Sequence, residues 1–159
     1  MDKKFNSTTY GELDFGQVIQ KIVDYVDADL EYDYRLIIGS DSQLKNHTGA
    51  DFVAAVIVHR VGAGAIYFWN REFRQKPYVL RQRIYEEALL SLEVAHQLVE
   101  KLGNKNGLLD ALEIHVDVGQ VGPTREIISE VVGMIRGSGF AVKIKPEAYG
   151  AAKVADRHT

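Results

Sequence analysis

The sequence predicts one α/β domain on a five-stranded mixed sheet, three antiparallel strands followed by two parallel strands, flanked by helices and preceded by an extra helix. Three observations carry this. A short apolar run, Leu36-Ile37-Ile38, stops at Gly39-Ser40-Asp41; two β-prone runs are joined by Gly62-Ala63-Gly64; and helical and strand patterns alternate over the second half of the chain. With 159 residues, 46% hydrophobic and 26% charged, the chain has material for one core and no room for two.

Phe15, Val18, Ile19, Ile22, Val23 and Val26 recur at helical spacing behind Asp14, an apt N-cap, and so predict an amphipathic helix. Tyr34 to Ser40 reads as a buried strand that delivers a polar tip. Phe52 to Val61 and Ile66 to Phe73 then form an antiparallel hairpin across the glycine-rich turn. A long helix follows from about Tyr78 to Leu102, with Ile84, Ala88, Ser91, Ala95, Leu98 and Leu102 as its inward stripe. Leu112 to Val118 is a short strand, and Pro123 and Thr124 open a helix that lasts to about Arg136. Phe140 to Lys145 alternates as a strand, and Ala148 to Asp156 is Ala-rich and helical. Consecutive strands pair antiparallel, whereas strands separated by crossover helices pair parallel, so the sheet is mixed.

The chain has no cysteine, which excludes disulfides and thiolate metal sites and leaves oxygen or imidazole as the only metal donors. The cytoplasm is the expected compartment. The polar stretch from Met1 to Tyr10 lacks the build of a secretory signal, and no apolar run is long enough to span a bilayer. A net charge of -3 argues against a general nucleic-acid coat, since such proteins carry surplus lysine and arginine. One basic patch stands out: Arg71, Arg74, Lys76, Arg81 and Arg83 against Glu72 alone, the candidate contact for nucleic acid.

Two aspartates are expected at strand ends, Asp41 after the first strand and Asp117 after the fourth. Parallel neighbours would bring these tips together, and two close like charges need a cation. Taken singly, each also suits a turn former or cap. Glu87 lies on the border of the long helix's inward stripe, and a small change of phase would exchange it with Glu86. The same position suits an ion pair with Arg83. Gly119 to Thr124 could form a loose anion-binding turn, though it lacks the lysine and spacing of a P-loop. His115 alternates with Asp117 on one strand and reads equally as a hydrogen-bonded structural histidine.

The order of elements, with Ile38-Gly39-Ser40-Asp41-Ser42-Gln43, His115-Val116-Asp117-Val118-Gly119 and Lys145-Pro146-Glu147-Ala148 leading to Val154-Ala155-Asp156-Arg157-His158, resembles the YkuK-type family of bacterial ribonuclease H-like proteins. The resemblance covers nearly the whole chain. It implies an N-terminal extension over 1–33 and a ribonuclease H-like domain over 34–159. By position it implies Asp41, Glu87, Asp117 and Asp156 as metal-binding and catalytic acids. It also implies a metal-dependent nuclease acting on RNA, an RNA–DNA hybrid or structured DNA. All-oxygen ligands select magnesium or manganese, and two such ions about 3.5–4 Å apart can clamp a scissile phosphate. His158, two residues past Asp156, is a candidate proton shuttle. The alternative is a catalytically inactive nucleic-acid or protein binding module on the same fold. A sugar-kinase-like phosphotransferase is disfavoured, because that chemistry needs two such domains around a cleft.

Overall fold

The computed structural model describes residues 3–46, 48–103, 105–117 and 125–144, together with His158. The expected turn over 119–124, the expected terminal helix over 148–156, and Asp156 itself lie outside the described residues.

Among the described residues the sheet has seven strands: β1 (Lys4–Ser7), β2 (Gly11–Asp14), β3 (Tyr34–Lys45), β4 (Gly49–Arg60), β5 (Ala65–Arg74), β6 (Leu112–Val116) and β7 (Ala141–Ile144). Their spatial order is β2-β1-β5-β4-β3-β6-β7. β3, β4 and β5 pair antiparallel, and β6 and β7 add on parallel to β3, as the pattern of crossovers required.

The expectation of five strands is corrected by the N-terminal hairpin of β1 and β2, which extends the sheet beyond β5. Each of these strands has only four residues, and most of their side chains are polar. One apolar side chain from each reaches the core, Phe5 and Leu13, and Asn70 of β5 donates through Nδ2 to the Lys4 carbonyl at 2.7 Å. The pairing is tertiary in origin. Four residues with one buried anchor leave too short a pattern to read as a strand.

The helices are α1 (Phe15–Asp27), α2 (Leu80–Leu102) and α3 (Arg125–Gly137). Asp14 caps α1 in a reciprocal box: its Oδ1 accepts from the Gln17 backbone at 2.8 Å, and Gln17 Oε1 accepts from the Asp14 backbone at 2.9 Å. All three helices pack on one face of the sheet. There Phe15, Val18, Ile22, Ile84, Ala88, Ala95, Leu98, Val131 and Ile135 bury against Leu36, Ile38, Phe52, Val56 and Phe68. The predicted stripe of α2 is buried throughout. The opposite face carries two small clusters, Ile37 with Ile57 and Tyr67, and Val53 with Ala55 and Trp69. No helix among the described residues is long and apolar enough to cross a membrane.

A second correction concerns β3. It does not stop at Asp41 but runs on to Lys45, because β4 pairs with it through Lys45↔Gly49. Asp41 therefore sits within an antiparallel ladder, opposite Val53. What ends near Asp41 is the parallel pairing with β6, whose last partners on that side are Gly39 and His115.

Candidate functional site

Strand alternation divides β3 between the two faces of the sheet. Leu36, Ile38, Ser40 and Ser42 point to the helices; Ile37, Gly39, Asp41 and Gln43 point the other way. Ser40 Oγ donates to the Glu87 carbonyl at 2.5 Å and lies 2.8 Å from Ser91 Oγ. Ser42 Oγ donates to Glu87 Oε2 at 2.5 Å. A pair of serines thus ties the middle of α2 to β3 and fixes where Glu87 can lie.

The register of β3 and β6 pairs Gly39 with His115, so two residues further along Asp117 comes level with Asp41, just past the end of β6. Glu87 feels both. Burial pushes its carboxyl up to about 8; Asp41 and Asp117 add to the rise, while the Ser42 hydrogen bond and Arg83 oppose it. Three carboxylates from β3, α2 and the end of β6 therefore share one electrostatic neighbourhood. Such a set of hard oxygen donors with mutual repulsion fits a divalent magnesium or manganese ion. Among the described residues no three His, Asp or Glu side chains close to ligating distance around one point.

The helix phase separates the two candidate glutamates. Glu86 binds Arg74 Nη1 at 2.5 Å, away from the aspartates, whereas Glu87 reaches β3. Glu87 makes no ion pair with Arg83; both converge on Ser42, Arg83 Nη1 donating to its carbonyl at 3.3 Å. His158 stacks on Trp69 of β5, with ring centroids 3.7 Å apart and planes 7° from parallel, and also lies near Tyr67. Trp69 shares a transverse row with Ala55 and Gly39, two strands across from β3.

The basic patch is largely engaged within the protein. Arg71 pairs with Asp51, Arg74 with Glu72 and Glu86, and Arg81 with Glu130, while Lys76 lies over the Tyr78 ring. His115 is buried on the face that carries Asp41, its Nε2 2.9 Å from Glu113 Oε1, and Glu113 is in turn bound by Arg35. Burial lowers the His115 pKa, with the Glu113 hydrogen bond opposing. Burial alone would raise Glu113; the bonds from His115 and Arg35 outweigh it and hold the carboxyl below its ordinary value. The serines are what the sequence reading missed. Their signal was present, since alternation from Asp41 sends Ser40 and Ser42 to the helix side, where Ser91 lies on the predicted stripe.

A ribonuclease H-like family model matches residues 17–159. The uncharacterized protein YkuK of Bacillus subtilis (strain 168) is 30% identical over 169 residues, an overlap covering 98% of this chain and 96% of that protein. With a match over most of the sequence and a relative aligned nearly end to end, this chain belongs to the ribonuclease H-like family and, within it, to the YkuK type.

Proposed function

We propose that this protein is a divalent-metal-dependent nuclease that hydrolyses phosphodiester bonds of RNA, RNA–DNA hybrid or structured DNA, with Asp41, Glu87, Asp117 and Asp156 holding magnesium or manganese. The observation that carries the reading is the gathering of Asp41, Glu87 and Asp117, set by the β3–β6 register and the Ser42–Glu87 hydrogen bond; the Glu87 pKa is raised chiefly by burial, with the two aspartates adding to it. Membership of the ribonuclease H-like family supports nucleic acid as the general class of partner.

When bound, the two ions supply charge to the attacking water and to the leaving oxygen of the scissile phosphate. The chain's own residues prepare that chemistry. Asp41 is held within the β3–β4 ladder, and Asp117 follows directly on the last residue of β6, so the sheet brings both toward one place before ligand arrives. Glu87 is oriented by the hydrogen bond that it accepts from Ser42. His158 remains a candidate to carry a proton, for which its contact with Trp69 would have to open.

A second reading, a non-catalytic binding module on the same fold, gives the carboxylates structural roles, as Glu87 has in accepting a hydrogen bond from Ser42. One experiment separates the two. Labelled single-stranded RNA, hybrid, duplex and junction substrates are incubated with magnesium or manganese and wild type or Asp41→Asn. Cleavage by wild type and its loss in the variant supports the nuclease; no cleavage of any substrate, with binding equal in both proteins, sinks it in favour of the module.

A further inference from the structure

On the face that carries Asp41, β5 presents Tyr67, Trp69, Arg71 and Phe73 in alternation. Phe73 stands apart from the other aromatics. It is 51% exposed, yet its ring is seated: a Cβ placed on Gly49 would lie 2.5 Å from Phe73 Cζ and 2.9 Å from Cε1. The ring therefore rests against the bare backbone of Gly49, where any other residue would displace it, and leaves the rest of its surface to solvent.

Charge surrounds this ring. Asp51, cross-strand partner of Phe73, is 5% exposed and holds two cations, Arg71 at 2.5 Å and Lys45 at 3.8 Å. Two cations on one carboxylate leave a positive surplus, and the side chains of Arg71 and Lys45 are 52% and 37% exposed. Asp41 lies two strands and two residues from Phe73, about 12 Å between backbones at ordinary sheet spacings. A seated aromatic face beside exposed cations is the arrangement by which sheets hold unstacked bases and their phosphates.

We propose that Phe73, with Arg71 and Lys45, is a stacking platform for an unpaired base of a single-stranded nucleic acid, next to the nucleotide held at the carboxylates. The inference deepens the nuclease reading by naming its substrate class as single strands or unpaired ends. A duplex offers no free base face to this ring. Binding at the platform needs no metal and no cleavage, so the two readings fail separately.

The test is fluorescence anisotropy of a labelled oligo-dT and of a duplex of equal length, at low salt in EDTA, with the full chain. Wild type is expected to bind the single strand more tightly than the duplex. Phe73→Ala should weaken single-strand binding by between about 5-fold and 100-fold, Phe73→Trp should retain it, and Arg71→Gln should weaken it and flatten its salt dependence. Phe73→Leu, apolar but without a π face, carries the comparison if the alanine variant is unfolded, and it too should bind weakly. Wild-type affinity in the folded Phe73 variants, equal and Phe73-independent binding of the duplex, or no binding of the single strand by wild type would overturn the platform. Cleavage lost in Asp41→Asn locates the chemistry at the carboxylates, while binding kept in a wild type that cleaves nothing leaves the platform standing without the nuclease.

Discussion

Ser42 Oγ donates to Glu87 Oε2 at 2.5 Å, a bond between the C-terminal part of β3 and the inner border of α2, made by residues 45 apart in sequence. It sets the rotamer of the acid that shares its field with Asp41 and Asp117.

Ser42→Ala should therefore act on the site more than on the fold. Loss of one part-buried hydrogen bond costs about 1–2 kcal/mol of stability. Without its donor, the Glu87 carboxylate ionises less readily, so manganese binding, followed by titration calorimetry, should weaken several-fold. Ser42→Thr, which keeps the hydroxyl, should recover most of it.

Glu87 predicts the pH dependence of the metal-free protein. Its pKa in the folded chain is about 8, above the ordinary 4.5, so folding favours the protonated form. Its contribution to stability is whole below about pH 4.5 and is lost as pH rises to about 8. In EDTA, Glu87→Gln should melt higher than wild type at pH 8.5, by about 3–8 °C, with the gap closing toward pH 5. An equal gap at both values would contradict the assignment.

Glu113 should behave with the opposite sign. Burial raises its pKa, but His115 and Arg35 hold it below 4.5 overall, so its contribution is present above that value and lost as pH falls through the lower folded one. Glu113→Gln should cost about 1–3 kcal/mol in urea unfolding at pH 7, and the difference should shrink in acid.

Gly49→Ala should be destabilising out of proportion to one methyl. The new Cβ would sit 2.5 Å from the Arg74 carbonyl oxygen, which the sheet cannot move, as well as against the Phe73 ring. A cost of about 1–3 kcal/mol is expected, a fall in Tm of about 3–10 °C by calorimetry.

The sequence was most informative where one local pattern repeated. Asp14, the apolar period behind it, and the inward stripe of α2 were readable because each rests on residues a turn apart. Alternating helices and strands likewise foretold which strands run parallel. The extent of β3 was not readable, because its last five residues are strand only through β4, and polar Ser42, Gln43 and Lys45 hide that pairing. The hairpin of β1 and β2 was hidden for the same reason. At the candidate site, the nearness of Asp41 and Asp117 was legible from topology, whereas which of Glu86 and Glu87 faces β3 depended on a helix phase that the contacts of Arg74 and Ser42 decide.

The N-terminal hairpin is also expected to limit edge-to-edge pairing between copies in solution. Without it, β5 would be a ten-residue border strand with aromatic side chains and open backbone groups, a template for pairing with other chains. β1 pairs with the middle of that border at Asn6↔Trp69, and β2 puts outermost a strand of four residues that includes Glu12 and Asp14 and turns at once into a capped helix. β1 and β2 thus shield part of the β5 edge, and a chain lacking them is expected to pair more readily with other copies of itself.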